Sequence, residues 1–157
     1  MLKPIALATL VAGTLDILFA TILTLYFGRE PGNMLRYVAS GPFPAATEWE
    51  TAGAVLGLLV HFTLMAIMAT AFVLAARRFP DLVASPLKWG LIYGLITYVI
   101  MNWIVVPLRF DTPLPPKTIS ITTQLFAHIV LVGLPIAWIT AKTLLQPTNA
   151  GAAAAHA

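Results

Sequence analysis

Four long apolar runs, at about residues 4–27, 52–76, 86–106 and 118–141, are separated by short clusters of charge, glycine and proline. Each run is long enough to cross a hydrocarbon core of about 30 Å at roughly 1.5 Å per helical residue. The pattern predicts an all-α integral membrane protein: one domain, built as an antiparallel four-helix transmembrane bundle. Inside the first run, Thr9, Gly13, Asp16, Ala20 and Thr24 recur at helical spacing and place small and polar side chains on one face, with Leu, Ile and Phe opposite. A stripe of that kind suits contact with other helices, because small residues let backbones approach closely within lipid.

The breaks between runs carry their own signals. Residues 28–49 hold Arg29, Glu30, Pro31 and Gly32, then a stretch that Asn33 can cap as a short helix, then Ser40-Gly41-Pro42-Phe43-Pro44. We expect this helix to lie along the membrane interface between spans 1 and 2. Thr47-Glu48-Trp49-Glu50 reads as a capping box for the second span, and Ser85-Pro86 as an N-cap followed by proline at the first helical position. Pro107 is expected to close the third span. Pro113, Pro115 and Pro116 should stiffen the loop before the fourth, and Pro135 should remove one backbone hydrogen bond within it. The tail at 147–157 is low in complexity and expected to be disordered, with no role for His156. A cleaved signal peptide is a poor account of the first run: its hydrophobic region would be only about 7–15 residues and would not hold an aspartate.

Composition sharpens the class. The chain is 59% hydrophobic and 10% charged, far below the roughly 25% charged residues of an average soluble domain. With no cysteine, it has no disulfide, thiolate metal site, iron–sulfur ligation or c-type haem attachment. The net charge of +3 is scattered over the ends of spans, so nucleic acid is not an expected partner. Lys3, Arg77, Arg78, Lys88 and Lys142 fall on the face shared by both termini, against Arg29, Arg36, Arg109 and Lys117 on the other. That bias favours cytoplasmic termini.

The chemistry concentrates at one depth. Counted from the Phe27 end of span 1 and the equivalent ends of the others, Asp16, His61, His128 and Tyr98 all lie roughly 12–17 Å deep. Asn102 and Gln124 lie one turn further out. An ionisable group buried in a membrane marks a function or a partner, so these six residues form the candidate ligand-binding site. Four readings follow. Asp16 could simply pair with a histidine as a structural clasp between helices. The Asp/His/His set could bind a proton, cation or small ligand, as carboxyl and imidazole groups exchange protons near neutrality. His61 and His128 could be the two axial ligands of haem b, for which Gly57, one turn away, would make room. They could also join Asp16 around a divalent metal. Enzymatic readings lack support: no clustered H-x-x-x-H set, no thiol, and no serine with a base at matching depth. The Gly53/Gly57 and Gly90/Gly94 pairs suggest faces for a homo-oligomer or a larger membrane complex besides the lipid bilayer itself. Trp49, Trp89, Trp103 and Trp138 read as interfacial anchors.

Several short stretches carry a resemblance in combination: Gly13-Thr14-Leu15-Asp16-Ile17, Ala39-Ser40-Gly41, Leu59-Val60-His61-Phe62, Tyr93-Gly94 with Tyr98 and Met101-Asn102, Val106-Pro107-Leu108, and His128 with Val132-Gly133-Leu134-Pro135-Ile136-Ala137. Together they resemble small bacterial four-span membrane proteins, distantly the YagU type. The resemblance covers most of residues 13–142 and implies a bacterial inner-membrane location and a general link to acid tolerance. It implies histidine at the positions of His61 and His128 but not the aspartate at 16, and supplies no activity, substrate or cofactor.

Overall fold

A computed structural model describes residues 2–145, so the tail expected to be disordered at 147–157 lies outside the described residues. The described residues form helices and loops with no strand. Four helices are long and apolar enough to cross a membrane: α1 (Leu2–Tyr26), α3 (Glu50–Arg78), α5 (Pro86–Phe110) and α6 (Thr118–Leu145). Two shorter helices, α2 (Pro31–Ser40) and α4 (Asp81–Ala84), sit in the connections around α3. Only 17–28% of each apolar window is buried inside the molecule, and side chains such as Leu10, Ile22, Leu59 and Ile67 stand on its surface. Such a surface calls for a bilayer around it.

The helices meet through small residues. α1 packs against α3 and α6, α5 packs against α6, and α2 lies along α3. The shared core is Ala8 and Ala12 of α1, Met65, Ala69 and Phe72 of α3, and Val132, Ile136 and Ala137 of α6. The two glycine pairs anchor the closest approaches. A Cβ at Gly57 would collide with the Leu35 carbonyl, and one at Gly53 with that of Ala46, so α2 and the 3₁₀ turn after it (Pro44–Glu48) rest directly on the α3 backbone. Across the molecule, a Cβ at Gly133 would stand 2.6 Å from the Gly94 nitrogen and one at Gly90 3.0 Å from Leu134 Cα, so α5 and α6 touch backbone to backbone. Both glycine faces, expected as surfaces for another subunit, are therefore filled within the chain.

Proline shapes the two long C-terminal helices differently from expectation. Pro107 does not end α5: Ile100–Val105 winds as a π-helix just before it, and regular helix resumes from Val106 to Phe110. In α6, Ala127–Gly133 is likewise π-helical and precedes Pro135. A proline lacks the N–H that would meet the carbonyl four residues back, and a wider turn lets the upstream carbonyls find other donors without breaking the helix. At the start of α3 the expected capping box does not form. Helix begins only at Glu50, whose φ is +41°, and residues 44–48 wind as the 3₁₀ turn with no side-chain cap. α2 starts at Pro31, so Asn33 lies in its first turn rather than at its cap.

Threonines inside the long helices satisfy themselves locally. Thr21, Thr24, Thr140 and Thr143 each donate to the carbonyl four residues back at 2.7 Å, which lets a hydroxyl sit in an apolar helix at little cost. Thr9 differs: its Oγ1 is buried and has no partner.

Candidate functional site

α3 and α5 are joined by few direct contacts, chiefly near Tyr93, whose hydroxyl donates to the Met68 carbonyl at 2.7 Å and whose ring lies 5.0 Å from that of Phe72. Beyond that contact they part, and a cleft of about 830 Å³ opens between them. Its walls are mostly apolar, with four methionines among them: Met34, Met65, Met68 and Met101. Such soft, unbranched side chains adapt to irregular occupants. α2 closes one end with Met34, Tyr37 and Val38.

Besides Tyr37 of α2, Thr63 of α3 and Arg109 of α5, four polar residues from three helices line the cleft. Asp16 is brought in by α1, His61 by α3, and Gln124 and His128 by α6. His61 is placed by its own stripe: Gly53, Gly57, His61 and Met65 are all buried on one face of α3. Gly13 completes the placement. A Cβ there would come within 2.6 Å of the Phe62 ring, so only glycine lets α3 come so near, and His61 Nε2–H then donates to the Gly13 carbonyl at 2.9 Å. That bond fixes the tautomer and turns Nδ1 toward Asp16 Oδ2, 3.9 Å away. It is the only acid–base side-chain contact within 4 Å among the described residues, and both side chains are largely buried.

His128 sits in the π-helical turn of α6 and donates from Nδ1–H to the Gln124 carbonyl at 3.1 Å. Its Nε2 is thereby left as an acceptor. The ring meets Tyr98 edge-on at 6.0 Å.

The six residues expected at the site thus divide. Asp16, His61, Gln124 and His128 share the cleft. Tyr98 is buried behind His128 and takes a hydrogen bond from Trp103 Nε1–H at 3.2 Å, which gives that indole, expected as an interfacial anchor, an internal partner. Asn102 faces elsewhere, into a second cavity at the α2 end, with its amide donating to the Tyr98 carbonyl at 3.3 Å. Asn102 lies within the π-turn of α5 (Ile100–Val105), whose wider winding departs from the regular helical face that carries Tyr98.

The donor set speaks to the metal and haem readings. Among the described residues no three of His, Cys, Asp and Glu converge to hold a metal ion. Axial haem ligation through Nε2 would have to break the His61 bond to Gly13. What the arrangement can do chemically is hold a proton between a carboxyl and an imidazole, and offer His128 Nε2 and the Gln124 amide to something lying in the cleft.

Sequence reasoning passed over the clamp that seats α2. Arg109 donates from Nη2 to the Ser40 carbonyl at 2.7 Å and from Nε to that of Gly41, while Tyr37 stacks on Phe110 at 4.3 Å. The Arg109 guanidinium also lies 5.3 Å from the Phe110 ring centre. Burial pushes the Tyr37 phenol above its ordinary value of 10.0, and the positive charge of Arg109 pulls it partly back. The one available signal was Arg109-Phe110 following a proline at the end of a span.

No family model matches the chain, and no curated protein or solved structure matches it either.

Proposed function

We propose that this chain is a small multi-pass protein of the bacterial inner membrane, an antiparallel bundle with cytoplasmic termini, that binds a small ligand together with a proton in the cleft between α3 and α5. The resemblance to YagU-type proteins and the basic residues at the terminal face support the location. The observation that carries the functional reading is the placement of Asp16 and His61: facing each other at 3.9 Å on the wall of a cleft of about 830 Å³. A structural clasp would close such a pair to a charge-assisted hydrogen bond of about 2.7–2.9 Å. The longer gap leaves the carboxyl free to take up a proton or a ligand group from the cleft, and His128 and Gln124 supply further polar contacts within an apolar wall, the usual make-up of a small-molecule site. The other titratable and charged residues on the cleft walls are His128 and, from the α2 end, Tyr37 and Arg109.

The test uses the full chain in lipid nanodiscs, with melting followed by the fluorescence of its four tryptophans. Benzoate and tetraphenylphosphonium serve as probes of opposite charge, titrated from about pH 5 to about pH 8, where imidazoles change charge. Expected is a melting shift with at least one probe whose size changes with pH, and loss of that pH dependence in Asp16→Asn and in His61→Gln. If both variants keep the parent profile and the parent probe shifts, the pair only holds helices together and the proposal fails.

A further inference from the structure

The cleft has a neighbour. At the α2 end a second cavity of about 560 Å³ lies between the end of α1, the separated ends of α5 and α6, and the proline loop that joins them. Val106 and Gln124 line both cavities, so this vestibule borders the cleft that holds Asp16, His61 and His128. Gln124 occupies both roles at once: its carbonyl holds His128 Nδ1–H, while the residue lines both spaces.

The charge of the vestibule is one-sided. Arg29 and Lys117 line it, both exposed, and no acidic residue does. The other polar groups on its walls are neutral hydroxyls and amides, Thr112, Ser120, Thr123 and Asn102 among them. Two exposed cations on a wall that carries no acidic residue raise the local concentration of anions and repel cations, an effect that reaches tenfold or more in on-rate.

We propose that this vestibule is the mouth of the buried site and that the solute it admits is a small anion, passing the Gln124 side chain to reach Asp16 and the two histidines. The inference extends the ligand-binding reading by naming the route and the charge class. A small anion arriving there meets the guanidinium-bearing Arg109, which also lines the cleft, together with Gln124 and the two imidazoles.

The chain has no cysteine, so a single one can report on the route. Ala20→Cys places a thiol on α1 inside the cleft, one turn from Asp16. In nanodiscs, both faces are open to two water-soluble methanethiosulfonates, one carrying a sulfonate and one a trimethylammonium group. Expected is modification about tenfold faster with the sulfonate, a ratio that falls toward one when Arg29→Gln and Lys117→Gln are combined or when salt is raised. Gln124→Trp should block both reagents, and Val106→Trp gives a second block should the first fail to yield monodisperse protein. The proposal is overturned if the thiol resists both reagents while labelling normally in denatured protein, if the two reagents react equally fast, or if neither block slows them. Because no ligand is needed for labelling, this result stands apart from the melting test: a bundle with an open anionic route and no probe-induced shift would sink the binding reading alone, and the reverse outcome would sink only the route.

Discussion

Adding one methyl group at Gly57 tests how α2 is held. A Cβ there would stand 2.6 Å from the Leu35 carbonyl carbon and 3.1 Å from Leu35 Cα, and would run into the carbonyl oxygen itself. Carbon atoms sit comfortably at about 3.5–4.0 Å, so α2 must move away by roughly 1 Å, and backbone cannot swing aside as a side-chain tip would. Replacing glycine within a helix gains about 1 kcal/mol. Overpacking a fitted contact costs about 1–3 kcal/mol, and this collision, with backbone on both sides, belongs at the upper end. The expected balance for Gly57→Ala is a net loss of about 1–2 kcal/mol, at about 2–4 °C per kcal/mol for a chain of this size. Gly32→Ala is the control: it lies in α2 with only ordinary contact to Glu30, at 3.5 Å, and should be neutral or slightly stabilising. Tryptophan-monitored melting of both variants in nanodiscs reads the difference. A Gly57→Ala protein that melts at or above the parent, alongside an unchanged Gly32→Ala, would show that α2 does not rest on the α3 backbone, and the end wall of the cleft would have to be redrawn.

Two further outcomes follow from single contacts. Thr9→Val removes a buried hydroxyl with no partner at nearly constant shape and should raise stability by about 1 kcal/mol; a fall in melting temperature would mean that the hydroxyl is bonded after all. Arg109→Gln removes the guanidinium bonds to the Ser40 and Gly41 carbonyls and should speed amide exchange across α2 while leaving α6 unchanged. It should also raise the Tyr37 phenol further, because the cation that favours phenolate is gone. In the parent, the stability that comes from keeping this phenol neutral is complete below its ordinary value of 10.0 and is lost as pH climbs through the raised one. Ultraviolet titration of the parent against Tyr37→Phe isolates that phenol, and a Tyr37 that titrates at or below its ordinary value contradicts the packing described.

Much of the architecture was legible because hydropathy and helical spacing are local properties. The run that holds Asp16, the buried stripe from Gly53 through His61, and the backbone contact at Gly94 all follow from small and polar residues recurring every three or four positions. The pairing of Asp16 with His61 was open to depth counting, since helical rise is constant. Three things were not open to it. The π-turns move Asn102 off the expected face, and proline announces a defect in a helix without saying whether the chain will stop, kink or widen. Which partner covers a glycine stripe is a question of tertiary packing, and α2, a short interfacial helix by sequence, turned out to fill one. The capping box failed because the chain before Glu50 had to turn sharply against α3, and that constraint outweighed a cap of roughly 1 kcal/mol.

The paired π-turns carry a mechanical consequence. The π-turn of α6 is where the two helices are riveted: Gly94 meets the backbone of His128 and Ile129, Gly133 at the end of the turn meets Gly90 and Gly94, and Gly90 meets Leu134. Above them the same two helices separate, and their free halves carry Val106 and Gln124. Each helix is thus a closely packed half and a shorter arm, with the α5 arm starting at its own π-turn and His128 held in the riveted turn of α6. Motion confined to the arms could widen the space above the histidine while the riveted half stays still, so that loosening at one end need not disturb the other.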